Sequence, residues 1–168
     1  MVIRSHPENW STDLPTAIVG IGLPASGKTT TLKQLATEKG AAYICADDIR
    51  EQLSGSAKDH SRNDDAWSII YRKIEAALLE GHDVVVDATN AKVKDRRQMA
   101  RFCSNLGAKT IGYWFVTPLR VCMRRNQARK RVVPDRAMRR MDYCLRSAPP
   151  DLSDGFSKIV KIFPPQGS

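Results

Sequence analysis

The most specific chemical signal in the sequence is a glycine-rich loop that ends in a lysine and a threonine. It runs from Gly22 to Thr29 as GLPASGKT and satisfies the pattern G-x-x-x-x-G-K-[ST] at every fixed position. In such a loop the backbone N–H groups converge on phosphate oxygens, and the helix that follows adds its positive N-terminal end. The pattern therefore predicts a site for the phosphates of a nucleoside triphosphate.

Individual residues of this loop have expected duties. Lys28 is expected to neutralise the β- and γ-phosphates of ATP, and the hydroxyl of Thr29 is expected to ligate Mg²⁺. The alternative is a chance match on a surface turn, which is disfavoured because a strand precedes the loop and a helix follows it. The residues predicted to surround the nucleotide here are Gly22, Pro24, Ala25, Ser26, Gly27, Lys28, Thr29 and Thr30.

The group that receives the phosphate must come from the ends of other strands, because ligands of open parallel sheets lie beyond the carboxyl edge. Asp47 and Arg50, in the sequence ADDIR, follow the second predicted strand. A carboxylate there can take the proton of an attacking hydroxyl, and an arginine one helical turn later can hold an acceptor phosphate. The alternative is that Asp47 caps a helix while Arg50 is solvated.

A third strand and a basic helix supply further candidates. Asp87 ends the apolar strand Val84–Val86, where a second carboxylate commonly reaches the Mg²⁺ shell. Arg125 and Arg129 are four residues apart in a predicted helix, and two guanidinium groups on one face are costly unless an anion lies between them. They are predicted to close over the phosphates of ATP, with a solvated basic helix as the alternative.

Short β-branched segments alternate along the chain with longer segments of helical periodicity. This alternation predicts an α/β fold, in which a central, mostly parallel five-stranded sheet lies between helical layers. Together with the glycine-rich loop and the basic helix of Arg125 and Arg129, it indicates the P-loop NTPase type with a helical lid. Turn and cap signals give the boundaries. Strands are predicted at 16–21, 42–45, 83–87, 109–116 and 158–163, and helices at 27–39, 47–53, 61–80, 94–106, 118–131 and 135–145.

Length and composition favour a single compact domain. Within 1–168, residues 1–15 are predicted to be an N-terminal extension and about 118–148 to be the lid and its flanking helices. Neither a membrane-spanning apolar run nor the apolar core of a signal peptide is found, so a cytoplasmic location without membrane contact is expected. The four cysteines and three histidines lack metal-ligand spacing, and structural zinc is not expected.

Positive charge is concentrated in one part of the sequence. Between Lys92 and Arg140 there are 15 lysines or arginines against two acids, a balance of +13, although the whole chain carries +9. This asymmetry is typical of a surface that faces a polyanion such as a nucleic acid. A solvated basic face is the alternative, and charge alone does not decide between them.

Five pieces of sequence together resemble the kinase module of the polynucleotide 5′-hydroxyl kinases. In order they are GLPASGKTT, ADDIR, VVVDATN, RRNQAR and VPDRAMRRM, spread from Thr16 to about Pro150. The first piece is shared with many P-loop kinases, whereas ADDIR and RRNQAR are more discriminating. One position departs from the family, because some members have a carboxylate immediately before Thr-Asn where this chain has Ala88, preceded by Asp87.

The resemblance implies transfer of the γ-phosphoryl group of ATP, with Mg²⁺, to the 5′-hydroxyl end of a DNA or RNA strand. It assigns Asp47 as the general base and Arg50 as a contact to the phosphate of the acceptor. Arg125 and Arg129 correspond to the lid arginines, with Arg129 engaging the donor phosphates and acting in catalysis with Lys28.

Two other functions remain open from the sequence. A kinase of a small metabolite, antibiotic or nucleotide-sugar can use the same scaffold, although its small acceptor would not need the basic region. A nucleotide-dependent binding protein or switch would bind ATP without transferring phosphate. The choice between DNA and RNA, and the oligomeric state, do not follow from the sequence.

Overall fold

A five-stranded sheet organises residues 14–55 and 63–165, which are the residues that the computed structural model describes. All pairs of neighbouring strands in it are parallel, in the order β2-β3-β1-β4-β5, so β1 is the central strand. The predicted fold class is confirmed. The strands are β1 (Thr16–Ile21), β2 (Ala42–Cys45), β3 (Val84–Asp87), β4 (Lys109–Phe115) and β5 (Lys158–Ile162).

Helices cover both faces of this sheet, and for that reason β1 and β3 are apolar on both sides. Ile18 of β1 belongs to a core cluster with Leu32 on one face, whereas its neighbour Val19 belongs to a second cluster, which includes Ile70 and Met99, on the other. The helices in the described ranges are α1 (Lys28–Lys39), α2 (Ala46–Ser54), α3 (Asn63–Leu79), α4 (Val93–Asn105), α5 (Leu119–Gln127) and α6 (Asp135–Ser147), followed by a 3₁₀ turn (Leu152–Asp154). Across 14–55 and 63–165, no helix is both long and apolar enough to cross a membrane.

Where the structure describes both, predicted and observed boundaries agree within two residues, except at the end of α5. The start predicted for the third helix, at 61, lies outside the described residues, as does most of the predicted N-terminal extension. The helix predicted over 118–131 ends at Gln127. Consequently the prediction that Arg125 and Arg129 share one helix face is wrong, because Arg129 lies beyond the end of α5.

A buried asparagine explains this early end. Asn126 is fully buried, its Nδ2 donates to the carbonyl oxygen of Val133 at 2.8 Å, and its Oδ1 accepts from the Val133 N–H at 3.0 Å. A side chain that satisfies the N–H and carbonyl group of a residue seven positions later favours a turn over continued helix. Residues 128–134, called the lid loop below, therefore fold back between α5 and α6.

One arginine of the basic region belongs to the interior. Arg96 is fully buried, and its Nε donates to Asp154 Oδ2 at 2.7 Å. Its two Nη atoms donate at 2.8 Å to the carbonyl oxygens of Ala91 and Ala148. A buried charge is tolerated when it is paired and hydrogen-bonded in this way. Arg96 thus ties α4 to the segment after α6 and is not part of the polyanion-facing surface that the sequence predicted.

Candidate functional site

A cavity of about 830 Å³, called the central cavity below, lies at the carboxyl edge of the sheet. It is lined by the loop after β1, the start of α2, the segment after β3, and the lid loop with the start of α6. Gly22 and Ser26 are buried behind this lining. The predicted site residues that the structure brings together in the lining are Pro24, Ala25, Gly27, Lys28, Thr29, Thr30, Asp47, Arg50, Asp87, Arg125 and Arg129.

The loop between β1 and α1 has the backbone of a phosphate cradle. A Cβ at Gly22 would lie 3.0 Å from the Cβ and 3.1 Å from the carbonyl oxygen of Phe115, so the position needs a glycine. Ala25 and Gly27 adopt left-handed conformations, with φ of 61° and 98°. Left-handed residues within such a loop direct successive N–H groups to one side, which is how backbone amides bind anions. The loop therefore fits the phosphates of a nucleotide.

Two side chains to which the sequence assigned no role support this region, one by a hydrogen bond to the end of β1 and one by a hydrogen bond to the loop itself. Nδ2 of Asn90, in the segment after β3, donates to the carbonyl oxygen of Gly20 at 2.8 Å. Oγ1 of Thr117, in the segment after β4, donates to the carbonyl oxygen of Ser26 at 3.0 Å. Asn90 has a φ of 46°, which asparagine tolerates better than most residues. That preference was a usable signal for Asn90, whereas the sequence around Thr117 offers none.

Lys28 is buried in the cradle with its ammonium held by loop oxygens. It is 7% exposed, and Nζ donates to the carbonyl oxygens of Gly22 at 2.9 Å and Leu23 at 2.7 Å. Burial lowers the pKa of Lys28 from 10.5 to about 8, while the nearby charge of Asp87 raises this pKa. A bound phosphate would favour the charged form of the side chain, so the position suits an anion.

The predicted Mg²⁺ ligands are in direct contact with each other. Oγ1 of Thr29 donates to Asp87 Oδ2 at 2.6 Å, and the hydroxyl of Tyr43 donates to the same oxygen at 2.7 Å. Burial and this hydrogen bond raise the pKa of Tyr43. A hydroxyl next to a carboxylate provides the oxygen donors that Mg²⁺ prefers, so Thr29 and Asp87 fit the ion. Tyr43 lies within a strand, and no motif marked it in the sequence.

The carboxylate of Asp47 lies between two arginines on the other side of the cavity. Arg50 Nη1 donates to Asp47 Oδ1 at 2.7 Å, and Arg131 Nη1 lies 3.1 Å from Asp47 Oδ2. Cys45 is the N-cap of α2, so the alternative in which Asp47 caps the helix is wrong. Arg50 is ion-paired and not simply solvated. Asp48 is exposed and does not line the cavity.

Arg131 is the residue that the sequence analysis missed on this side. It lies in the lid loop, and no sequence signal connects it to Asp47, because the two segments are distant in the chain. Among residues 14–55 and 63–165, the charged side chains of the lining are Lys28, Arg50, Arg125, Arg129 and Arg131 against Asp47 and Asp87, a balance of +3. Such a surplus attracts polyanionic ligands.

Comparison with known proteins assigns this architecture to a family. Residues 18–147 match the family model described as an AAA domain. A chain in the structure of the Pnkp1/Rnl/Hen1 RNA repair complex is 21% identical with a TM-score of 0.70, and the match covers 84% of this chain and 47% of that one. The chain thus spans about half the length of that relative.

Two further structures match over nearly their whole length. A gluconokinase from Sinorhizobium meliloti is 20% identical with a TM-score of 0.58, covering 92% of this chain and 85% of that one. Kti12 from Chaetomium thermophilum, solved with ADP-AlF3, is 17% identical with a TM-score of 0.67, covering 88% of each chain. At these identities the likeness concerns the fold, which is that of a P-loop kinase.

Proposed function

The chain belongs to the AAA domain family, and from this premise we propose that it is an ATP-dependent kinase acting on the 5′-hydroxyl ends of polynucleotides. The observation that carries the proposal is that Lys28 in its phosphate cradle and Asp47 between its two arginines line the same cavity. A donor site and an acceptor site that share one cavity are what direct phosphoryl transfer requires.

The lining residues divide the work of the transfer between them. The cradle and Lys28 hold the β- and γ-phosphates, and Arg129 stabilises the charge that develops on the transferred group. The oxygen of the acceptor hydroxyl forms a bond to the γ-phosphorus, and Asp47 accepts the proton of that hydroxyl. The bond from the γ-phosphorus to the β–γ bridging oxygen breaks, and ADP leaves. Mg²⁺, held through Thr29 and Asp87, would supply further neutralisation of the phosphates.

Three features favour a polynucleotide as the acceptor. The motifs ADDIR and RRNQAR resemble those of polynucleotide 5′-hydroxyl kinases, and their Asp47, Arg50, Arg125 and Arg129 meet in the central cavity. The lining residues that the structure describes have a charge balance of +3, which suits an acceptor that carries phosphates of its own. One structure similar to this chain belongs to an RNA repair complex, although at 21% identity.

The test is phosphate transfer from γ-labelled ATP to a panel of acceptors. The panel contains 5′-hydroxyl DNA and RNA oligonucleotides, nucleoside 3′-phosphates, gluconate and other small metabolites, and oligonucleotides that already carry a 5′-phosphate as blocked controls. We expect label on the 5′-hydroxyl oligonucleotides and none on the blocked ones. Transfer to a metabolite with none to oligonucleotides would support the small-molecule kinase instead, and ATP binding without any transfer would support the binding protein.

A further inference from the structure

The hydroxyl of Tyr43 reaches the predicted Mg²⁺ ligand Asp87 from the neighbouring strand. Tyr43 of β2 lies opposite Val85 of β3, two residues before Asp87. Residues opposite each other in a sheet share a face, as do residues two apart along a strand, so the three side chains point to the same side. The hydroxyl of Tyr43 donates to Asp87 Oδ2 at 2.7 Å. Tyr43 is not part of the cavity lining, so its effect on a ligand passes through Asp87.

Two hydroxyl groups hold the carboxylate of Asp87. Thr29 Oγ1 and the Tyr43 hydroxyl both donate to Oδ2, at 2.6 and 2.7 Å, whereas Oδ1 accepts no hydrogen bond from the residues that the structure describes. The charge of Lys28 interacts with that of Asp87, but the ammonium is bonded to carbonyl oxygens of its own loop. A carboxylate that could turn would be drawn to this ammonium. Asp87 is 5% exposed, so little water is available to replace a lost donor.

We propose that Tyr43 is a positioning residue that holds Asp87 in the orientation in which the site binds Mg²⁺. The inference rests on the proposed function, because it concerns the metal ion that this function uses. Hydrogen-bonding partners of a metal-ligating carboxylate restrict its orientation, and their loss weakens metal binding. With both donors on Oδ2, the other oxygen of Asp87 is left to the ion or to a water molecule bound to it.

The ring of Tyr43 is held independently of its hydroxyl group. It packs against the core cluster that contains Ile18, Leu32 and Val85. In addition, Nζ of Lys33 lies 5.6 Å from the ring centroid, within the range of a cation–π contact. Replacing Tyr43 by phenylalanine therefore removes the hydrogen bond to Asp87 while the packing of the ring remains.

The test measures metal binding directly and without an acceptor. Mn²⁺, a paramagnetic substitute for Mg²⁺, is titrated into protein that is in excess over a non-hydrolysable ATP analogue, and bound Mn²⁺ is followed by electron paramagnetic resonance. Calorimetry gives the affinity for the same analogue in the presence of a chelator. The proteins are the wild type, Tyr43→Phe and the matched control Tyr113→Phe. Tyr113 packs against the same core cluster from β4, and its hydroxyl has no hydrogen bond to a described residue.

We expect the affinity for Mn²⁺ to fall roughly tenfold in Tyr43→Phe, with the metal-free affinity for the analogue unchanged. Tyr113→Phe should match the wild type in both. With an acceptor present, the Mg²⁺ concentration for half-maximal transfer should rise in Tyr43→Phe, and excess Mg²⁺ should restore kcat, which it would not do for a misfolded site. Unchanged Mn²⁺ affinity in Tyr43→Phe would overturn the inference. An equal loss of metal-free nucleotide affinity would also overturn it, since Tyr43 would then support the phosphate cradle as a whole.

The same experiment separates this inference from the proposed function. Weaker Mn²⁺ binding by Tyr43→Phe, in a protein that transfers phosphate to no 5′-hydroxyl end, would support the role of Tyr43 and overturn the polynucleotide acceptor. Transfer to 5′-hydroxyl ends with equal Mn²⁺ affinity in both proteins would do the reverse. A wild type that binds no Mn²⁺ beside the nucleotide would overturn the assignment of Thr29 and Asp87 to the ion, and the role of Tyr43 with it.

Discussion

The phosphate cradle and the lid loop reach the same cavity by different physical means. The cradle is a contiguous segment that a sequence motif marks between a strand and a helix, although contacts with Phe115 and Thr117 from the distant β4 region also hold it. The lid loop has its shape from tertiary contacts, through the Asn126 side chain on Val133 and the ion pair of Arg131 with Asp47. Local rules therefore predict the first region and not the second.

The two regions also differ in how firmly their functional side chains are held. Residues of the cradle are held before any ligand arrives, with Lys28 bonded to loop carbonyls and Thr29 bonded to Asp87. Arg129 is exposed, in a loop that one buried side chain anchors. We therefore expect changes in the cradle to act on the donor phosphates, and changes around the lid loop to act on the acceptor and on the transfer step.

The largest effect is expected from removing the proposed base Asp47, which the lid loop contacts through Arg131. Asp47→Asn keeps the shape of the side chain but cannot take a proton, so turnover should fall by about 10²- to 10⁴-fold while ATP binding is spared. The measurements are kcat with a 5′-hydroxyl oligonucleotide and calorimetric affinity for ATP. Asp48→Asn, an exposed neighbour outside the cavity lining, should stay near the wild type. If the two variants exchanged phenotypes, the acceptor side would have been assigned to the wrong residue.

Removing the cradle cation should act on the other half of the reaction. Lys28→Ala deletes a preorganised charge at the donor phosphates, and we expect phosphate transfer to fall by about 10²- to 10³-fold with the fold retained. Circular dichroism and initial rates check the two parts of this expectation. Lys39→Ala, at the exposed far end of the same helix, is the matched control. Full turnover in Lys28→Ala would contradict the assignment of the cradle.

Much of the fold could be predicted from the sequence because its signals are local. The strands Thr16–Ile21 and Ala42–Cys45 are observed with the predicted bounds, since β-branched runs between turn residues leave few alternatives. The order of the strands, which places β1 between β3 and β4, depends on packing between distant segments. It was not predicted beyond the expectation of a parallel sheet.

The candidate site shows the same limit at the level of single residues. The sequence placed Lys28, Thr29, Asp47 and Asp87 at strand ends, and the structure brings them to one cavity. The helix α5 is predicted to be too long because a basic, helix-compatible segment continues to residue 131. Nothing in the sequence distinguishes Asn126, whose buried amide ends the helix, from an exposed asparagine. Similarly, the sequence predicts that Arg96 is an exposed cation of the basic region, although Asp154 and two carbonyl groups bind it in the interior.

The anchor of the lid loop offers a test of whether one side chain sets this region. Asn126→Ala leaves the N–H and the carbonyl group of Val133 without their partner, so the free energy of unfolding should fall by about 1–3 kcal/mol. Because Arg129 and Arg131 lie in the same loop, kcat should fall as well, with a smaller change in the affinity for ATP. Thermal unfolding and steady-state kinetics measure the two effects.

Gln127→Ala is the control for this variant, because Gln127 is the exposed residue that follows Asn126 in α5. It should change neither quantity beyond experimental error. A loss of stability in Asn126→Ala with unchanged kcat would mean that transfer does not require the lid loop in this conformation.

The smallest effect per substituted residue is expected for arginines on the outer face of α6, and it concerns oligonucleotide binding. Helical spacing gives this helix three surfaces, with Met138 in the core, Ala137 and Met141 in the lining of the central cavity, and Arg136, Arg139 and Arg140 exposed. A strand whose 5′ end enters the cavity would pass close to this exposed face, because the same helix borders both. We therefore expect these three arginines to bind the strand outside the cavity.

Substituting these three arginines by glutamine should weaken oligonucleotide binding without a matching loss of kcat, because none of them lines the cavity. Each lost phosphate contact should reduce the slope of log K against log salt by roughly 0.7 on a single strand, or about 2 if all three make contacts. Fluorescence anisotropy over a salt series measures the slope.

Arg146→Gln is the control for the triple variant. Arg146 is exposed on the same helix, but its Nε already donates to Asp142 at 2.8 Å, so its loss should leave the slope nearly unchanged. An unchanged slope in the triple variant would mean that these charges only solvate the surface. The acceptor would then be held within the central cavity alone, which would favour a small molecule over a strand.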